Sequence, residues 1–223
     1  MPRLSPITAL LALALATPAS AASFPCTKAG TPTEKAICAD AAVSALDERL
    51  AKGFKDAVQR LGANTDGAVQ AALKADQKAW LAERNACGAD AACLRGQYER
   101  RVAVLGFKPD PGAPSPADPF VGRFDHGGFL EVAALRLRDG TLAVNIFGAE
   151  PTAGRWICGF EGIGRPGADG ALVVGTPDAD GNGVVLQRTA GGVRIADSDA
   201  NRAASGNWCG MNGSFLFDYA RMK

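Results

Sequence analysis

The amino-acid sequence predicts an α+β chain: a small helical domain, a proline-rich linker and a C-terminal antiparallel β domain of barrel or flattened-sandwich form. Three observations predict it. Apolar residues recur every three or four positions as far as Leu105. Five prolines then fall within the 12 residues 108–119. Beyond them the apolar pattern alternates and is broken by two-residue turn signals. The predicted divisions are 1–22 as a signal peptide, 23–106 as the helical domain, 107–119 as the linker and 120–223 as the β domain.

The chain opens on a basic start at Arg3 and an apolar run containing Leu10–Leu15, which stops at Pro18. Crossing hydrocarbon as a helix takes about 20 apolar residues, so the run is too short for a membrane anchor. Ala19, Ser20 and Ala21 then supply the small-x-small pattern of a cleavage site. The mature chain is expected to begin near Ala22 or Ser23. Cys26 follows Ser23, Phe24 and Pro25, not the small residues that lipoprotein processing requires. Export without a lipid anchor or membrane span is therefore expected, to the periplasm or outside the cell. The 24 Lys and Arg against 23 Asp and Glu leave no surplus of charge to favour a nucleic acid or an anionic membrane surface.

From Asp40, the residues Val43, Leu46, Leu50, Phe54, Val58 and Leu61 lie on one helical stripe. Asp40 fits an N-cap and Gly62 a stop. A second long helix is predicted over 67–86, with Val69, Leu73, Trp80 and Leu81 inward. A third is predicted after Asp90, with Leu94, Tyr98, Val102 and Leu105. Ahead of them, Thr31, Pro32, Thr33 and Glu34 open a short helix carrying Cys38, with proline in its first turn.

Six cysteines in an exported chain read as disulfides. Zinc sites use tight C-x2-C pairs, which are missing here, and the single histidine, His126, has no cysteine near it in sequence, so no metal or other cofactor is expected. The linker sets Cys158 and Cys209 apart as one pair. Three pairings remain for Cys26, Cys38, Cys87 and Cys93. Cys26 with Cys38 and Cys87 with Cys93 are favoured, because each brackets a short turn beside a helix.

Phe24-Pro-Cys26 with Lys28, the run Thr31-Pro-Thr-Glu-Lys-Ala-Ile-Cys38 and Leu46-Asp47 together resemble the opening of the lysozyme inhibitor LprI-like N-terminal domain family. Gln77, Trp80, Arg84, Cys87, Cys93, Leu94, Tyr98 and Arg101 are similar to the family's later helices in type, order and spacing. The resemblance covers about residues 24–105. It implies a small helical domain of exported bacterial proteins, named for a member that inhibits lysozyme.

The prolines of 108–119 exclude a helix or interior strand and predict a semi-rigid spacer between independently folding halves. Eight strands are predicted over 120–124, 129–138, 141–147, 154–163, 171–175, 184–189, 193–197 and 214–221. Asp139-Gly140, Asp169-Gly170 and Gly191-Gly192 mark hairpins. In architecture alone, such a domain resembles the small β-barrels of periplasmic lysozyme inhibitors of the MliC type.

Three motifs could carry chemistry. Asp178, Asp180 and Asn182 with Gly183 resemble the first half of a calcium loop, but Thr189 stands where the bidentate glutamate belongs, and a polar hairpin turn explains the same residues. His126 beside Asp125 lacks a nucleophile elbow and reads as a turn histidine. The many carboxylates show no spacing that singles out an acid/base couple. The chain is therefore expected not to be an enzyme.

The expected function is a binding protein that inhibits lysozyme or an endogenous wall-cleaving enzyme by steric blockage of its cleft. An envelope module for another ligand or partner is the alternative, and a carboxylate-dependent hydrolase comes third. The candidate contacts are cations and hydroxyls on disulfide-braced turns. These are Lys28 beside Cys26, Arg202 and Ser205 in a loop before Cys209, and Asn212 and Ser214 after it.

Overall fold

A computed structural model describes residues 22–62 and 67–223; the predicted signal peptide lies outside these, apart from Ala22. Four helices come first: α1 (Pro32–Ala39), α2 (Ala41–Arg60), α3 (Ala68–Ala86) and α4 (Ala91–Leu105). Their starts follow from the capping residues. The Thr31 hydroxyl accepts from Glu34 N at 3.1 Å while the Glu34 carboxylate accepts from Thr31 N at 2.9 Å, a reciprocal capping box with Pro32 in the first turn. Asp40 and Asp90 each accept two backbone N–H groups of the turn that follows. The predicted stripes face inward, with Ile37, Val43, Leu50, Leu73, Trp80, Leu94 and Tyr98 buried in one apolar cluster.

The disulfides are Cys26–Cys38, Cys87–Cys93 and Cys158–Cys209, the favoured pairing, and no cysteine is free. Each of the first two closes a turn beside a helix. Buried Asp47 adds a polar tie, accepting from the Tyr98 hydroxyl at 2.7 Å and from Ser23 N and Oγ at 2.7 and 2.6 Å.

The C-terminal part is a closed antiparallel barrel of eight strands in chain order. They are β1 (Gly122–His126), β2 (Leu130–Arg136), β3 (Leu142–Ala149), β4 (Ile157–Pro166), β5 (Leu172–Gly175), β6 (Gly183–Arg188), β7 (Gly192–Arg194) and β8 (Asp218–Arg221). Pairing of β8 with β1, Phe124 opposite Arg221, closes the meander and leaves no unpaired sheet edge. Asp139-Gly140 and Asp169-Gly170 fall between consecutive strands, and Gly191-Gly192 leads into β7; Gly140 and Gly170 adopt φ of 85° and 78°, the region that glycine enters without a Cβ penalty.

The structure corrects the sequence reading at several places, among them residues 154–156 and 195–197, which lie outside β4 and β7. Residues Asp118–Phe120 form a 3-10 turn, not the start of the first strand. Residues 214–217 precede β8 and are not part of it. Residues Asp199–Trp208, read as loop, form a fifth helix, α5.

The barrel core holds Phe124, Val132, Val144, Ile146, Phe160, Leu186, Phe215 and Tyr219. The outer face of β2 and β3 is buried as well: Ala133, Leu135 and Ala143 belong to the helical cluster. Polar contacts reinforce this junction. Glu131 on β2 accepts from Arg60 at 2.7 Å and from Arg123 at 2.9 Å, and Asn145 Nδ2 donates to the Arg60 carbonyl at 2.9 Å. Asp76 on α3 takes Arg101 at 2.5 Å and Arg138 N at 2.7 Å. The proline-rich segment is anchored at both ends, by Phe107 in the helical cluster and Ala117 in the barrel core.

Candidate functional site

The sequence-predicted contact residues sit in two places. Lys28 lies in a 3-10 turn, Cys26–Lys28, tethered through Cys26 to α1. It is exposed, and its ammonium makes no ion pair or hydrogen bond among the described residues. The other four lie on and after α5, at one end of the barrel.

Helix α5 forms there because its start and inner face are tied to the sheet. Ser198 caps it, accepting from Asn201 N at 3.3 Å. Buried Asn201 accepts from Val185 N at 2.9 Å and donates to the carbonyls of Val185 and Ala196 at 3.1 and 2.8 Å. Ala204 enters the barrel core. The β5–β6 turn presses on the helix at Gly181, where φ is 73° and a Cβ would lie 2.7 Å from the Ala203 carbonyl oxygen. Only glycine fits both demands.

This helix separates the predicted contacts. Ser205 turns inward: it is 4% exposed, and its hydroxyl accepts from Phe215 N at 3.3 Å and lies 3.4 Å from the Ser214 hydroxyl. Ser214 is half-buried and accepts from Leu216 N at 3.1 Å. Arg202 is exposed, but its guanidinium binds both Asp197 and Asp199, so its charge is locally matched. Asn212 stays outside, on the turn 210–213 closed by Gly213 N donating to Gly210 O at 2.8 Å, with φ of 65°.

What the sequence reading missed is an apolar rim around the third disulfide. Ile157 is 69% exposed, Met211 83% and Trp208 41%, with Trp156 half-buried beside them. The rim is braced rather than loose. Cys158–Cys209 joins its halves, Gly210 N donates to Ile157 O at 2.9 Å, and Trp208 Nε1 donates to Gly181 O at 2.8 Å. The preceding loop is held by Glu150, whose carboxylate takes Thr152 Oγ1 and the backbone N–H groups of Ala153 and Thr152, drawing its pKa down to about 2.

The other motifs have local roles. Asp178 accepts from the backbone of Asp180 and Asn182, both at 3.0 Å, and from Asn182 Nδ2 at 2.9 Å, so its carboxylate builds the turn into β6. His126 ends β1, stacked at 4.1 Å on Phe217 with Nδ1 2.9 Å from the Asp218 carbonyl. Among the described residues there is no cluster of three His, Cys, Asp or Glu that could hold a metal, and no helix long and apolar enough to cross a membrane.

Residues 26–110 match the family described as lysozyme inhibitor LprI. Proteins named lipoprotein LprI from Mycobacterium tuberculosis and Mycobacterium bovis are 29% identical over 102 residues, 44% of this chain and 48% of theirs. The chain thus spans about half the length of the curated relatives it matches. No solved structure gives a significant match. The family resemblance carried by the cysteines, Trp80 and the Thr31–Lys35 run is thereby shown for the helical module: residues 26–110 are similar to the lysozyme inhibitor LprI family, and the barrel lies beyond the match.

Proposed function

We propose that this chain is an exported envelope protein that inhibits lysozyme or a related peptidoglycan-cleaving enzyme by occluding its cleft. The observation that carries this reading is the LprI match over the helical module. A glycosidase cleft presents two carboxylates several ångströms apart, and a rigidly held cation is their natural complement. Lys28 fits that requirement better than Arg202: both are exposed, but Lys28 has no carboxylate partner while Arg202 has two. The Cys26–Cys38 bridge limits the ordering cost of presenting it.

The test is inhibition of animal, plant and bacterial wall-cleaving enzymes by the purified mature protein. At least one should be inhibited with a submicromolar constant, and Lys28→Ala should weaken that inhibition by about 1–3 kcal/mol, the worth of a charge-assisted contact. Inhibition of none of these enzymes leaves the second reading, a module that docks an envelope partner through the apolar rim. Exposed Ile157 and Met211 favour it.

A further inference from the structure

We propose that removal of the signal peptide completes the helical module: the α-ammonium group created on Ala22 pairs with the buried carboxylate of Asp47, and the module reaches full stability only after the cut. The cut rests on the export reading; the pairing rests on the geometry around Asp47. Ala19-Ser20-Ala21 places the cut before Ala22. The first residues of a domain usually fray. Here they are held. Ala22 is 7% exposed and lies in the helical apolar cluster, against which Phe24 also packs. Ser23 N and Oγ both donate to Asp47 Oδ2, at 2.7 and 2.6 Å. Consecutive backbone nitrogens lie at most about 3.6 Å apart, so Ala22 N is no more than about 6 Å from that oxygen. At such a distance opposite charges still attract within a protein.

A positive charge is what the surroundings of Asp47 lack. Its other oxygen accepts from the Tyr98 hydroxyl on α4 at 2.7 Å, a neutral donor whose pKa is pushed up by burial and by Asp47 itself. Arg84 on α3 stands 4.0 Å away, and the nitrogen nearest Asp47 donates instead to the Tyr98 hydroxyl, at 3.1 Å. Arg84 is also shared. Glu34 on α1, held below its ordinary pKa chiefly by the Thr31 and Gly30 N–H groups, feels the same guanidinium. Two carboxylates therefore draw on one cation, and an α-ammonium beside Asp47 supplies the second. Before the cut that nitrogen is a neutral amide. The tie is placed where it matters, because residues 22–25 lead straight into the Cys26–Lys28 turn. It holds from the chain start the turn that Cys26–Cys38 fastens to α1.

The test compares three forms of the full mature chain: one beginning at Ala22, the same chain acetylated on its α-amino group, and one beginning at Ser20. Acetylation removes the charge, and two extra residues carry it away from Asp47. In an unfolded chain the α-amino group titrates near pH 7.7–8.0, and pairing raises that value in the fold. Its contribution is therefore complete below about pH 7.7 and lost as pH rises through the folded value. At about pH 6.5, urea unfolding should give both altered forms an unfolding constant about tenfold larger, the equivalent of one pKa unit. By about pH 10 the acetylated and free forms should agree. In Asp47→Asn they should agree at every pH. If that variant does not fold, NMR titration of the α-amino group decides: its pKa in the folded chain should lie above its value in urea. Equal stability of the three forms at about pH 6.5, a difference that persists in Asp47→Asn, or an α-amino pKa no higher than in urea overturns the pairing. N-terminal sequencing of the exported protein tests the cut separately: retention of residues 1–21 overturns the processing step and leaves the pairing to be judged on the three forms.

Discussion

The helical module and the barrel are stapled on different scales. Cys26–Cys38 and Cys87–Cys93 join residues 12 and 6 apart in sequence, whereas Cys158–Cys209 joins residues 51 apart. The helix starts are equally local, set by Thr31, Asp40 and Asp90 within three residues of the groups they cap. In the barrel, the rim and α5 also depend on distant partners, such as Asn201 with Val185, 16 residues away, and Cys209 with Cys158, 51 residues away. The difference separates what each staple can do: short loops fix a turn, and the long loop restrains most of a fold.

The largest expected effect tests that contrast. Loop-closure entropy predicts that replacing both Cys158 and Cys209 by serine costs about 4 kcal/mol, the Cys26–Cys38 pair about 3, and the Cys87–Cys93 pair about 2. Urea unfolding of the three double variants ranks them. An equal cost for the shortest and longest loops breaks the comparison.

Next comes the junction where the two regions meet. Leu135 points out of the barrel yet is fully buried under the helices. Leu135→Ala should cost about 3 kcal/mol, in the usual range for a buried leucine. It should lower helical ellipticity and tryptophan fluorescence in one coincident transition. Two transitions, with the helical signal surviving the barrel, would show that the proline segment divides independent units, as its composition suggests.

A smaller effect depends on pH. Burial alone raises the Glu131 carboxyl, but hydrogen bonds and charge from Arg123 and Arg60 outweigh it and hold the pKa below the ordinary glutamate value. A folded pKa below the unfolded one contributes stability that is complete above about pH 4.3 and lost as pH falls through the folded value. Glu131→Gln should therefore cost about 1–2 kcal/mol at neutral pH and flatten the acid limb of the stability curve. An acid limb as steep as that of the parent chain would place this pH dependence elsewhere.

What was legible in the sequence follows the same divide. The four first helices, the disulfide pairs and the barrel class come from signals read within a few residues or from domain placement. Helix α5 was hidden because Asp199–Trp208 has only small residues and one tryptophan to bury, and its support is Asn201 and Ala204 meeting other strands. Ser198 with Asp199 in the first turn was the available clue, a capping serine before an acidic start. The junction had a clue too: 132–135 and 142–144 run apolar without alternating, the mark of strands covered on both faces. Of the candidate contacts, sequence could place Lys28 and Asn212 on turns. It could not tell that Ser205 faces inward, which depends on how α5 meets the barrel, or that Asp197 and Asp199 engage Arg202, which depends on α5 being a helix at all.

The smallest expected effect sharpens the reading of the rim. Asn212 holds φ of 65° on an exposed turn, a conformation asparagine tolerates better than most residues and glycine best of all. Asn212→Ala should then cost about 1 kcal/mol, while Asn212→Gly should leave stability within about 0.5 kcal/mol of the parent. Met211, its neighbour, has no such conformational demand and is almost wholly exposed, so Met211→Ala should not change stability. Together the three substitutions separate shape from contact. If the rim docks a partner by its apolar surface, Met211→Ala weakens capture of that partner without touching the melting temperature, whereas Asn212→Ala changes both. A partner that binds Met211→Ala and the parent chain equally well would remove the rim from the binding surface and leave the helical module, with Lys28, to make the contact.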